Sequence, residues 1–62
     1  MKRVIIELRV RDIPIYVYAR QIGIGESRLR RILHGRVQGV TKDEKTRIAA
    51  GLDLALTDLE ET

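Results

Sequence analysis

The sequence predicts an all-α domain, a compact bundle of four to five short helices. Three observations carry that prediction. Ile15, Tyr18, Ala19 and Ile22 recur at the i, i+3, i+4, i+7 spacing of one helix face, and Leu29, Ile32 and Leu33 give a second stripe of the same period. Gly23-Ile24-Gly25 interrupts the first period, and Gly35 stands just past the second. Thr41-Lys42-Asp43-Glu44 has the form of a capping box, in which a threonine and a glutamate three residues on satisfy each other's backbone N–H groups at a helix start.

Taken in order, residues 3–11 admit two readings. Ile6, Leu8 and Val10 alternate with Glu7, Arg9 and Arg11, which is the strand period. Val4, Ile5 and Leu8 also fit one side of a helix, and the helix is favoured because a lone strand finds no partner in the chain unless a second subunit supplies one. Pro14 suits the first turn of the second helix, where its missing N–H is no loss, so that helix is expected from about Pro14 to Ile22. The third helix is expected over Glu26–Leu33, with Gly25 a weak N-cap and Gly35 the residue just beyond the end. Arg36 to Val40 reads as a loop, too short to be a linker between domains. The fourth helix buries Ile48, Ala49 and Leu52. Gly51 lies within it, at a cost of ~1 kcal/mol relative to alanine unless the helix ends early. Leu54, Leu56 and Leu59 continue into a final turn or short helix, which either closes the core or offers a dimer surface.

Sixty-two residues form one domain, 1–62, near the lower limit for a core without staples. There is no cysteine, and a single histidine, His34, cannot hold zinc alone, so no metal site and no cofactor is implied. Neither a paired acid–base constellation nor a glycine-rich phosphate loop is present, and the chain does not read as an enzyme. No small-molecule ligand is evident. The apolar run Val4-Ile5-Ile6 is too short for a secretory core or a membrane span, so a soluble, cytoplasmic protein is expected, with no membrane partner.

Net charge is +3, but its distribution says more. Residues 1–52 hold all twelve Lys and Arg against five acids, a balance of +7, while residues 53–62 hold four acids and no base, a balance of −4. Nine of the twelve bases are arginine, whose planar fork suits phosphate and guanine better than lysine does. Composition alone leaves a solvated basic surface and a nucleic-acid surface about even. Spacing tips the balance. A helix that buries Leu29, Ile32 and Leu33 must turn Ser27 and Arg31 outward, with Arg28 and Arg30 beside them, and such a helix can be offered to a major groove. Two tyrosines without Phe or Trp make a poor stacking platform for single strands. Tyr18 belongs to the core by spacing, and Tyr16 to the surface.

From Ile15 to Leu54 the chain resembles the lambda-repressor-like, or XRE/Cro-type, helix-turn-helix domain. Ala19 looks like the family's small residue in helix two, and Gly23 like the glycine of its turn. Tyr18, Ile22, Ile24, Leu29 and Ile32 match its apolar slots. Arg31-Ile32-Leu33-His34-Gly35-Arg36 is similar to its helix-three ending, and TKDEKTRIAAGLDL, Thr41 through Leu54, to its fourth helix and exit. The match covers about two thirds of the chain. Asp12 stands near where many relatives have glycine, Pro14-Ile15 where they often place Ser or Thr and then Gln, and Gly25 where they have a hydroxyl cap.

The resemblance implies sequence-specific binding of double-stranded DNA by a transcriptional regulator, a repressor acting as a homodimer on half-sites ~34 Å apart. Glu26, Ser27, Arg28 and Arg31 are then the candidates for base edges, with Glu26 either accepting from a cytosine amine or orienting Arg30. Tyr16, Arg20, Arg30, His34, Arg36 and Lys42 are the candidates for phosphate. The plain alternative for each charge is a solvated surface. Two other functions fit stretches of the chain. One is a ribbon-helix-helix DNA binder, with residues 3–10 as the strand. The other is an antitoxin-type interaction module that docks a protein through Leu54–Leu59 and the acidic tail.

Overall fold

A computed structural model describes residues 1–59 of the chain. Five helices follow in order: α1 Lys2–Val10, α2 Ile15–Ile22, α3 Glu26–Leu33, α4 Lys42–Gly51 and α5 Leu56–Leu59, with no strand among the described residues. The all-α expectation holds.

Residues 2–10 are helix, so the strand that a ribbon-helix-helix needs is not there. The alternation that suggests a strand is split by the helical turn. Leu8 is buried with Val4, one turn earlier, while Ile6 and Val10 stay 54% and 75% exposed. Glu7 pairs with Arg3 and Arg11 at i−4 and i+4 (3.3 and 3.4 Å), which suits a helix, whereas in a strand the same positions would lie ~13 Å apart.

Pro14 is the N-cap of α2 rather than its first turn, and its carbonyl accepts from Val17 and Tyr18, each at 3.1 Å. Gly25 caps α3 without a side-chain bond. At α4 the capping box is complete: the Glu44 N–H donates to Thr41 Oγ1 at 3.1 Å, and the Thr41 N–H donates to Glu44 Oε1 at 3.0 Å.

Helices α1 to α4 close in the same way, on a left-handed residue: Asp12 (φ 58°), Gly23 (73°), Gly35 (70°) and Asp53 (58°). After each, the next N–H reaches back five residues, as from Ile13 to Leu8 (2.8 Å), Ile24 to Ala19 (3.1 Å), Arg36 to Arg31 (2.9 Å) and Leu54 to Ala49 (2.8 Å). Two of the stops are glycine. The other two are aspartate, a residue that tolerates this region better than most.

The core joins Val4 and Leu8 of α1, Tyr18 and Ala19 of α2, Leu29, Ile32 and Leu33 of α3, and Ile48 and Ala49 of α4, with Ile24, Leu52 and Leu59. Tyr18 is fully buried, and its hydroxyl donates to the Ile48 carbonyl, so the phenol is satisfied. Burial pushes its pKa up to about 12, against a smaller opposing effect of the Arg11 charge.

Gly51 is the last residue of α4, so most of the expected propensity cost does not apply. Its hydrogen has a use: a Cβ there would lie 2.5 Å from the Tyr18 hydroxyl oxygen and 2.9 Å from Ile22 Cγ2. Of the three terminal leucines, Leu59 joins the core, Leu54 packs against it, and Leu56 remains exposed. Core closure thus accounts for Leu59 and Leu54, and neither offers an open dimer surface.

Candidate nucleic-acid interface

Burying positions 29, 32 and 33 leaves 27, 30, 31 and 34 on the opposite side of α3, themselves spaced i, i+3, i+4, i+7. Ser27, Arg30, Arg31 and His34 line one shallow depression there, and Arg36 joins them because the reversal at Gly35 brings the chain back across the helix end. Among the described residues, no acidic side chain lines it. Among the described residues, Arg31 and Arg36 have no ion-pair partner. Arg30 is held by Glu26 one turn earlier, at 2.8 Å, so the Glu26 carboxylate faces its own helix neighbour.

Arg28 lies one residue further round and does not line the depression. Its guanidinium grips Glu44 of α4 with two bonds, Nε to Oε2 and Nη2 to Oε1 (2.8 Å). Hydrogen bonding to Arg28, and then to the Thr41 backbone, holds the Glu44 carboxyl down to about 2, and the same bond raises the Arg28 pKa. In the sequence Glu44 reads only as a cap; nothing local to either residue announces a contact 16 positions apart. Sequence reasoning also misses Arg11, which donates to the Leu52 carbonyl at the end of α4 (3.0 Å), and Arg47, which pairs with Asp43 (3.0 Å) and donates to the Gly23 carbonyl (3.4 Å). Cations at helix C-termini are favourable there, but their partners come from tertiary contact.

The remaining candidates sit apart. Tyr16 is exposed on the first turn of α2, Arg20 is exposed on its last turn, and Lys42 opens α4; none lines the depression. His34 also borders a second groove, of about 280 Å³, whose walls are Ile5, Leu8, Ile13, Pro14 and Ile15 with Arg9. The end of α3 thus meets the start of α2, and Arg9 adds a further cation beside His34.

Among the described residues there is no cluster of three metal-ligating side chains, and no helix is long and apolar enough to cross a membrane. Comparison with family models, with curated proteins and with solved structures gives no match.

Proposed function

We propose that this chain binds double-stranded DNA in a sequence-specific manner, with α3 as the helix that enters the major groove, and that it acts as a transcriptional regulator by occupying its site. The observation that carries this reading is the outer face of α3. Among the described residues, three arginines, a histidine and a serine share one concave surface with no acid in it, and two of the arginines are unpaired. An α-helix with its side chains is ~10–12 Å across, and the major groove is ~12 Å wide and ~8.5 Å deep, so α3 suits the groove in both size and charge. In this reading Arg31 and Ser27 reach base edges, while Arg36 and His34 clamp phosphate, with Arg20, Lys42 and Tyr16 as outlying phosphate contacts. Arg30, already paired with Glu26, is a weaker phosphate ligand than its position suggests.

The interaction-module alternative is less well supported. Leu59 and Leu54 are taken up by the core, and Glu60 and Glu61 of the acidic tail lie outside the described residues.

Salt dependence tests the reading. Affinity for duplex DNA at low salt should fall steeply as salt rises, with a log–log slope of ~0.9 per phosphate contacted. Arg31→Ala should reduce discrimination between selected and random duplexes by ~1–3 kcal/mol per site, and Arg36→Ala should weaken both about equally. The absence of duplex binding at low salt, or the reverse pattern in the two variants, removes α3 as the reading helix.

A further inference from the structure

We propose that Glu44 is a positioning residue for Arg28: its carboxylate holds one edge of the guanidinium so that the other edge is presented, already oriented, to a guanine in the major groove. This rests on the duplex-DNA reading above.

A guanidinium has two edges that can each make paired bonds, one formed by Nε and Nη2 and one by Nη1 and Nη2. Glu44 occupies the first. The second carries two parallel N–H donors, and Nη1 has no partner among the described residues. Guanine offers O6 and N7 as the matching pair of acceptors.

The anchor is itself fixed. Glu44 Oε1 accepts from the Thr41 N–H at 3.0 Å and from the Thr41 hydroxyl at 3.2 Å as well as from Arg28. The Glu44 side chain is only 14% exposed, whereas Arg28 is 47% exposed. The arrangement is therefore a rigid carboxylate behind an accessible guanidinium. An unrestrained arginine surrenders its rotamer freedom when it meets a base; Arg28 has surrendered it on folding.

The same pair argues for a base and against a phosphate. An arginine already neutralised by a carboxylate gains less from a second anion, and that carboxylate repels it. A neutral guanine edge meets no such penalty. Because Arg28 is on the α4 side of α3 and Arg31 in the depression, the two would read different base pairs.

The test is selection of bound duplexes from a random pool by the full chain and three variants, with helicity and melting followed for each. Glu44→Gln keeps the cap, since glutamine also serves in a capping box, but gives Arg28 a single acceptor and no charge. Arg28→Lys leaves the cap untouched. Thr41→Ala weakens the cap without removing the carboxylate. The wild type should enrich guanine at one fixed position, and Glu44→Gln and Arg28→Lys should each lose that preference, about tenfold, at that position alone. Thr41→Ala should retain it. Glu44→Gln should also bind random duplex more tightly, since a negative charge has gone.

Three results would overturn the proposal: a guanine preference unchanged in Glu44→Gln and Arg28→Lys; equal loss in Thr41→Ala, which makes Glu44 a stability residue only; or Arg28→Lys weakening selected and random duplex alike, which makes Arg28 a phosphate contact. Should Glu44→Gln fail to fold, Arg28→Lys carries the comparison. Failure of the wild type to bind any duplex at low salt is a separate outcome, seen before any variant is made, and it removes the duplex-DNA reading itself along with the proposal.

Discussion

Glu44 completes the cap of its own helix and holds an arginine from another, and the second role requires it to be ionised. Its carboxyl is lowered from 4.5 to about 2, first by the Arg28 hydrogen bond and then by the Thr41 backbone. The folded value lies below the unfolded one, so the stabilisation is present above pH ~4.5 and is lost as pH falls from there through about 2. The urea midpoint of the wild type should therefore fall over that window more than that of Glu44→Gln, and the two curves should converge at the acid end. Parallel curves would show that the ion pair contributes nothing to folding. Of the residues singled out by pattern, Tyr18 and Tyr16 divide between core and surface as their spacing implies. Arg28 does not behave as a free surface charge, because α4 supplies the carboxylate that engages it.

At the scale of elements, the boundaries come from the backbone, and two kinds of residue set them. Gly23 and Gly35 are legible as helix stops because glycine enters the left-handed region freely. Asp12 and Asp53 occupy the same conformation without that signal. Asp53→Gly should raise stability by ~0.5–1 kcal/mol, the left-handed cost of an L-residue less the extra freedom that glycine adds to the unfolded chain. A lower melting temperature in that variant would mean that the aspartate makes a compensating bond. Gly51 behaves in the opposite sense. Helix propensity alone predicts a gain for Gly51→Ala, well below the ~1 kcal/mol of a helix interior because Gly51 ends α4, but the new methyl would lie 2.5 Å from the Tyr18 hydroxyl oxygen and 2.8 Å from its Cε1. Overpacking of this kind costs ~1–3 kcal/mol, so thermal denaturation should show a net loss. A gain would show that Tyr18 can shift while keeping its bond to Ile48.

For the whole molecule, the decisive feature is how small it is, 27 × 22 × 17 Å, with α5 closing the core against α1 and α4. A core of this size leaves little to lose. Leu59→Ala should cost ~2–5 kcal/mol, enough to unfold a marginal domain, and the loss in melting temperature should be the same at every protein concentration. A concentration-dependent melt that the variant abolishes would move Leu59 from the core to a dimer seam. The homodimer is what the resemblance to the lambda-repressor-like domain implies, with half-sites ~34 Å apart against a molecule 27 Å in its longest extent. The apolar side chains left open for such a contact are Ile6 and Val10 on α1 and Leu56 on α5, rather than the leucines that close the core.

By itself the sequence determined where three of the five helices lie, α2, α3 and α4, the capping box that opens α4, and which side of α3 faces outward, since helical period, caps and glycine stops act between near neighbours in the chain. The helix in residues 2–10 is only the favoured of two readings, since its apolar residues fit both periods until Leu8 has a core to enter. Tertiary structure alone decided the pairings that shape the surface: Arg28 with Glu44 across 16 positions, Arg11 with the Leu52 carbonyl across 41, and Tyr18 over the bare backbone of Gly51. Such contacts carry no local signature, because each residue's own neighbours are satisfied without them; only the packing of one helix on another brings the charges and the ring within reach.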